Sequence, residues 1–168
     1  MATLSPHFQL EEFGKPDPVP PDCIRIFGRL ANEILEPVRA FVNRPITITS
    51  GYRSPEHNRA IHGSATSEHV ATENSCAADL TFDTAITPML TVRTVFNWIR
   101  NDPTLPFHQV ILEHAGNGQS SIIHVSINEE KEGIRQALEG ATYNSSPYTA
   151  WETVAYNPVA SQEGQENA

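Results

Sequence analysis

Three separated segments of this chain hold side chains of the kinds that bind and use a metal ion: Ser50-Gly51-Tyr52-Arg53-Ser54-Pro55, then Ser67-Glu68-His69 followed by Ala77-Ala78-Asp79, then His124-Val125-Ser126. A hydrolytic zinc ion takes three ligands through imidazole nitrogen or carboxylate oxygen and keeps a fourth position for water. His69, Asp79 and His124 would form such a set. Bound zinc lowers the pKa of water and polarises the carbonyl under attack. A general base must then take the proton. Glu113 is the candidate, because a predicted hairpin brings it near His124 and an apolar setting would raise its affinity for a proton. The planar guanidinium of Arg53 suits a substrate carboxylate or a developing oxyanion. Together these groups point to hydrolysis of a peptide bond.

Each of them has a plainer alternative. Any one of the seven histidines, taken singly, is more often a surface or satisfied core residue than a ligand. Asp79 lies in Cys76-Ala-Ala-Asp-Leu-Thr-Phe82, where an inward carboxylate without a partner would be costly. A metal, an arginine or a strand-end cap would each satisfy it, with the metal ahead. His124 alternates with branched apolar residues and could instead be a half-buried histidine bonded to a carbonyl. Glu113 could be an exposed carboxylate at a strand end, and Arg53 could belong to a loop salt bridge. His57, His62, His108 and His114 read as non-ligands. His114 neighbours Glu113 but would face the other side of a continuing strand.

The elements that must position these residues follow from local pattern. Gly14 to Pro21 contains four prolines, which remove donors and bias the preceding residues away from helix, so a rigid loop is expected. After it, Asp22 is a plausible cap, and Phe27, Ala31, Ile34, Val38 and Phe41 recur on one helical face, predicting a helix over about 22–43 that Pro37 must kink or divide. Ile46–Thr49 alternates as a strand, which sets Arg53 just beyond a strand end. Pro55 opens a short helix over 55–62, and Gly63–Ser67 is loop chemistry leading to His69. Ala77–Phe82 reads as a strand, Val92 to Asn101 as a helix, and 107–113 and 121–128 as two strands. Gly116-Asn-Gly118 between the last two predicts an antiparallel hairpin.

A chain of 168 residues fits one domain, placed here at 1–157, with a polar acidic tail over 158–168 that has too little apolar surface to order itself. With 11 Lys and Arg against 20 Asp and Glu, a nucleic-acid partner is not expected. Cys23 and Cys76 lack the close spacing of a thiolate metal site and are expected to be free thiols. No apolar run is long enough to span a bilayer. The opening Met1–His7 has no basic stretch followed by an apolar one, so no Sec-type signal peptide is expected.

These residues resemble a known family, the zinc D-Ala-D-Ala carboxypeptidase-like peptidases, which share a core with VanX-type dipeptidases and the hedgehog signalling domain. The resemblance runs from Leu4-Ser-Pro-His-Phe-Gln-Leu-Glu-Glu-Phe13 through Leu35-Glu-Pro-Val-Arg39, Ile46 to Pro55, Asn58-Arg-Ala60, Ser67-Glu-His69, Ala77-Ala-Asp-Leu80 and His124-Val-Ser126. It implies an α+β fold with a small antiparallel sheet flanked by helices, zinc on His69, Asp79 and His124, Arg53 near the substrate, and Ser67 as support behind the ligands. Relatives space the first histidine and the aspartate more closely and place a glycine between them. Here they are ten positions apart with no glycine, so Val70–Cys76 carries an insertion. Ile122 stands where relatives often have an aromatic residue or a histidine that assists the reaction.

The resemblance implies a zinc peptidase acting on peptidoglycan stem or cross-bridge peptides. The subgroup includes bacterial and phage cell-wall peptidases, so the expected setting is the cytoplasm of an infected host before release, or a phage virion with other virion proteins as partners. Two rivals stand beside it. One is a metal-binding structural component of a phage particle that keeps the fold without activity, which the insertion and Ile122 would favour. The other is a dipeptidase of the VanX kind, which would need a small closed pocket.

Overall fold

The computed structural model describes residues 2–85, 91–114, 121–140 and 148–159. The expected Gly116–Gly118 turn and the tail from 160 onward lie outside the described residues.

The chain opens with a two-stranded ribbon, β1 (Thr3–Ser5) and β2 (Phe8–Gln9), followed by a single helical turn, α1 (Leu10–Phe13). Glu36 holds this ribbon, accepting from the Ser5 hydroxyl at 2.6 Å and from the His7 amide at 2.9 Å. After the proline loop, the predicted helix forms as one segmented run: a 3-10 turn at Pro21–Cys23, α2 (Ile24–Leu30), a π-helical stretch at Ala31–Leu35 and α3 (Glu36–Val42). The wide turn falls just ahead of Pro37, where the Glu36 amide reaches back to the Ala31 carbonyl. Proline has no N–H and crowds the preceding turn, so the helix absorbs it by widening rather than breaking. Asn43 ends the run in the left-handed conformation at φ 52°.

β3 (Ile46–Ser50) leads to α4 (Pro55–Ala60), whose start is fixed by the Ser54 hydroxyl accepting from the His57 amide at 3.2 Å. β4 (Ser75–Phe82), α5 (Val92–Asn101), β5 (Gln109–His114), β6 (Ser121–Asn128), β7 (Gln136–Gly140) and β8 (Thr149–Trp151) complete the fold. The main sheet has the order β3-β4-β6-β5-β7-β8, antiparallel except for the parallel pair β5 and β7. The α+β expectation holds, with a sheet that is larger and partly parallel. The β7 and β8 strands were not foreseen.

Strand alternation divides the sheet into two faces. Ala78, Leu80, Val110, Leu112, Ile123 and Val125 point to one side, where they are fully buried with Phe27, Leu30 and Ile34 of the long helical run and Phe96 and Ile99 of α5. Burying side chains of this size contributes roughly 1.5–3 kcal/mol each before entropy is counted, so this face carries the fold. Asp79, His124, Ile111, Glu113 and Leu138 point to the other face. Cys23 and Cys76 are both free and buried. Among the described residues no helix is long and apolar enough to cross a membrane.

Candidate active site

The face of the sheet opposite the core floors a cleft of about 420 Å³. Arg53 and Ser50 line one end, Leu138 and Tyr148 line the far end, and His69, Asp79, His124 and Glu113 lie between.

The register explains the meeting of residues far apart in sequence. Asp79 of β4 is directly opposite His124 of β6, and Ile111 of β5 is opposite His124 on the other side. His69 reaches the same point from the loop after α4. Its backbone carbonyl accepts from the Arg53 amide at 2.9 Å, and its Nδ1 lies 2.6 Å from the Gly51 carbonyl. Gly51 is required here because a Cβ would stand 2.4 Å from the Phe13 carbonyl oxygen. The strand end is thus pressed against α1, and its carbonyl is free to fix the imidazole.

That contact sets the chemistry of the ring. With Nδ1–H donating to Gly51, neutral His69 presents a lone pair on Nε2, and this atom is 3.0 Å from Asp79 Oδ1 and 3.2 Å from His124 Nδ1. His124 Nδ1 lies 2.9 Å from the same Asp79 oxygen. Three electron-rich atoms converge, all buried, and only a proton or a cation between them reconciles such a meeting. Ligands on zinc bonds near 2.1 Å at tetrahedral angles stand about 3.4 Å apart, so a small outward shift would seat the ion. The donor set, two imidazoles and a carboxylate, fits a metal that accepts nitrogen and oxygen.

Asp79 is satisfied on both oxygens. Arg53 Nη2 donates to Oδ2 at 2.9 Å, while Arg53 Nε donates to Ser50 Oγ at 2.9 Å. Burial alone would raise the Asp79 carboxyl, but its close contacts with the two imidazoles outweigh burial and hold the group well below its usual range. Arg53 thus forms the salt bridge of the plainer reading, with Asp79, and also lines the cleft.

Glu113 is not the exposed strand-end carboxylate of the plainer reading; it is 8 % exposed. It sits opposite Ile122, two residues from His124 and on the same face. Burial and then the charge of Asp79 raise its pKa, with His124 and Arg53 pulling the other way. It therefore holds a proton more readily than an ordinary glutamate. His114 does close β5, turned to the opposite face, where its Nδ1 is 2.9 Å from Ser121 Oγ and its Nε2 2.9 Å from Glu139.

A second buried cluster escaped the sequence reading. Glu68, next to His69, takes hydrogen bonds from His108 Nδ1 at 2.9 Å and from Asn128 Nδ2 at 2.6 Å. Burial would raise its carboxyl, but the bonds from His108, Ser126 and Asn128 outweigh that and lower it. This cluster ties the ligand loop to β6, and no local signal joins residues 40 and 60 positions apart. Ser67 Oγ accepts from the His69 amide at 3.4 Å, a long bond from the support that the resemblance implies. The insertion after His69 lies in a tight turn, Thr72 bridging to Ser75 with Thr72 and Glu73 exposed. Arg25 holds that turn from outside by donating to the Glu73 carbonyl at 2.7 Å.

A buried triad of nitrogen and oxygen atoms that could hold a metal ion thus lies on the sheet floor, with a buried carboxylate in the same cleft. Comparison with known proteins adds that the family described as Peptidase M15 matches residues 21–103 of this chain. The matched stretch includes Arg53, His69 and Asp79, while Glu113, His124 and Tyr148 lie beyond it. No curated protein matches the chain.

Proposed function

We propose that this chain is a zinc-dependent peptidase that hydrolyses a peptide bond in peptidoglycan stem or cross-bridge peptides, in the setting of a phage lysin or virion-associated enzyme. The observation that carries the reading is the convergence of His69 Nε2, Asp79 Oδ1 and His124 Nδ1 in an open cleft beside Glu113. These three atoms would hold zinc, which when bound supplies Lewis acidity to the peptide carbonyl and lowers the pKa of water.

The chain's own groups do the rest. Gly51 fixes the His69 ring, and Arg53 fixes the Asp79 carboxylate, so the binding atoms are oriented before any ion arrives. Glu113 takes the proton of the attacking water at its carboxylate and returns it to the departing amine nitrogen. Its raised pKa suits both halves of that transfer. The Arg53 guanidinium lines the cleft, where it suits a substrate carboxylate. The cleft lining runs from Ser50 of β3 to Leu138 of β7 and Tyr148, which favours a peptide lying across the strands over a closed dipeptide pocket.

The inactive-scaffold alternative rests on the insertion and on Ile122; the inserted residues form a tight turn with Thr72 and Glu73 exposed while the three ligand atoms remain together, and Ile122 lines the cleft. The test is metal content of protein purified without tag or chelator, measured for wild type and His69→Ala, with peptidoglycan digestion on the same samples. One zinc per chain, lost in the variant, and wall peptides released only by loaded wild type are expected. Zinc without release would reject the peptidase in favour of the scaffold.

A further inference from the structure

The far end of the cleft carries a side chain with no role so far. Tyr148 immediately precedes β8 and lines the same cavity as the triad. In the β7 to β8 ladder, Glu139 is opposite Thr149 and Leu138 is opposite Ala150, so one step further places Tyr148 beside Gly140. Gly140 is in turn in register with Glu113, through the parallel β5 to β7 pair. Alternation puts Tyr148 on the face of Ala150, Leu138 and Ile111, which is the cleft face.

The residue between Tyr148 and Glu113 is thus a glycine. With no side chain at Gly140, the tyrosine ring has a path across β7 toward Glu113 and the centre of the cleft. Two strand spacings separate the outer strand from β5, about 10 Å, and a tyrosine side chain spans a little over half of that. Among the described residues its hydroxyl has no hydrogen-bond partner. Burial, then the charges of Glu113 and Asp79, raise its pKa, so it remains a protonated donor.

We infer that Tyr148 is a substrate-contacting residue that donates a hydrogen bond from its hydroxyl to an oxygen of the peptide on the far side of the scissile bond from Arg53, with Ile111, Ile122 and Leu138 as an apolar wall for a small side chain. The cleft then has two chemically distinct ends: a guanidinium at β3 and a phenol at β8, with the triad and Glu113 between. This orients the peptide across the strands, so that one direction of chain is read and the reverse is not. The inference rests on the peptidase reading for its reaction and on the cavity for its geometry.

The experiment uses full-length, zinc-loaded protein and a stem pentapeptide. Tyr148→Phe is expected to lower kcat/KM by about three- to tenfold, the effect of one neutral hydrogen bond, and Tyr148→Ala by more. Zinc content and melting temperature should match wild type in both. Trp151→Ala, on the opposite face of the same short strand, should leave kcat/KM unchanged, which separates loss of the phenol from disturbance of β8. Calorimetric binding of the pentapeptide to Glu113→Gln, with and without Tyr148→Phe, gives a readout that needs no turnover. Weaker binding in the double variant sustains the role of Tyr148 even if wild type proves inactive. Unchanged kcat/KM in both Tyr148 variants, or equal binding in the Glu113→Gln pair, overturns it, and a wild type that neither cleaves nor binds the stem pentapeptide or a cross-bridge peptide overturns both readings.

Discussion

At Glu113 the surroundings favour the neutral acid, and that has opposite consequences for function and for stability. Its pKa is raised by burial and by the charge of Asp79, so in the metal-free protein its ionised form is disfavoured relative to the unfolded chain. A carboxyl whose folded pKa lies above its unfolded value contributes stability below the unfolded value and loses it as pH rises through the folded one. Glu113→Gln should therefore melt higher than wild type at neutral pH after chelation, with the gain vanishing at pH values below the ordinary glutamate range. The same variant, zinc-loaded, should lose about 10²- to 10⁴-fold in kcat as a missing general base. Thermal melts at three pH values and a turnover assay check both; a variant that is slow but no more stable would remove the argument from burial. The site residues were legible to different depths. Asp79 and His124 stood out because polar groups in apolar runs need partners, His69 because it completes a ligand set with them from the loop after Gly63, and Arg53 because it follows a strand end. The bond from Arg53 to Asp79 was not legible, since it depends on the bulged register between Ile48 and Ser50.

Among the elements, the outer strands depend on one side chain. Glu139 of β7 pairs with Arg93 of α5, lies 2.9 Å from His114 Nε2 of β5, and accepts from Trp151 Nε1 of β8 at 3.1 Å. The Arg93 hydrogen bond is the largest influence holding its pKa down at about 2. A depressed carboxyl contributes stability that is full above its unfolded pKa and is lost as pH falls through the folded value. Glu139→Gln should cost roughly 1 kcal/mol at neutral pH, a discounted figure because Arg93 is substantially exposed, or about 2–4 °C in Tm. The deficit should shrink toward pH 2. Denaturation across that range measures it, and a deficit independent of pH would assign the effect to packing. The elements flanking the site were readable from period and turn residues: the long helical run, β3, β4, α5, β5 and β6 fall where alternation and caps put them. Gln136–Gly140 was not, because five residues with only two apolar side chains carry little strand signal until β5 offers its parallel edge. The widened turn before Pro37 was also hidden, as a kink and a π turn are alternative answers to the same proline.

Over the whole molecule, the sheet separates the source of stability from its cost. One face is apolar and packed against helices; the other holds His69, Asp79, His124 and Glu113, each less than 10 % exposed, in a cavity open to solvent. Burying those groups opposes folding, and the native arrangement brings three electron-rich atoms to one point. A metal bound to the folded state alone repays this by mass action, about 2.7 kcal/mol at a hundredfold excess over Kd. For a domain of this size that corresponds to roughly 5–10 °C in Tm. Zinc added to chelated wild type should raise Tm by about that amount in a concentration-dependent way. Asp79→Ala should abolish the rise while Tyr148→Phe preserves it, because only the first removes a converging atom. The comparison also separates a site from adventitious binding: surface histidines would take up zinc without coupling to the global melt, and they would do so equally in Asp79→Ala. A zinc-dependent rise of the same size in that variant would mean that the ion which stabilises the fold sits elsewhere than between His69, Asp79 and His124.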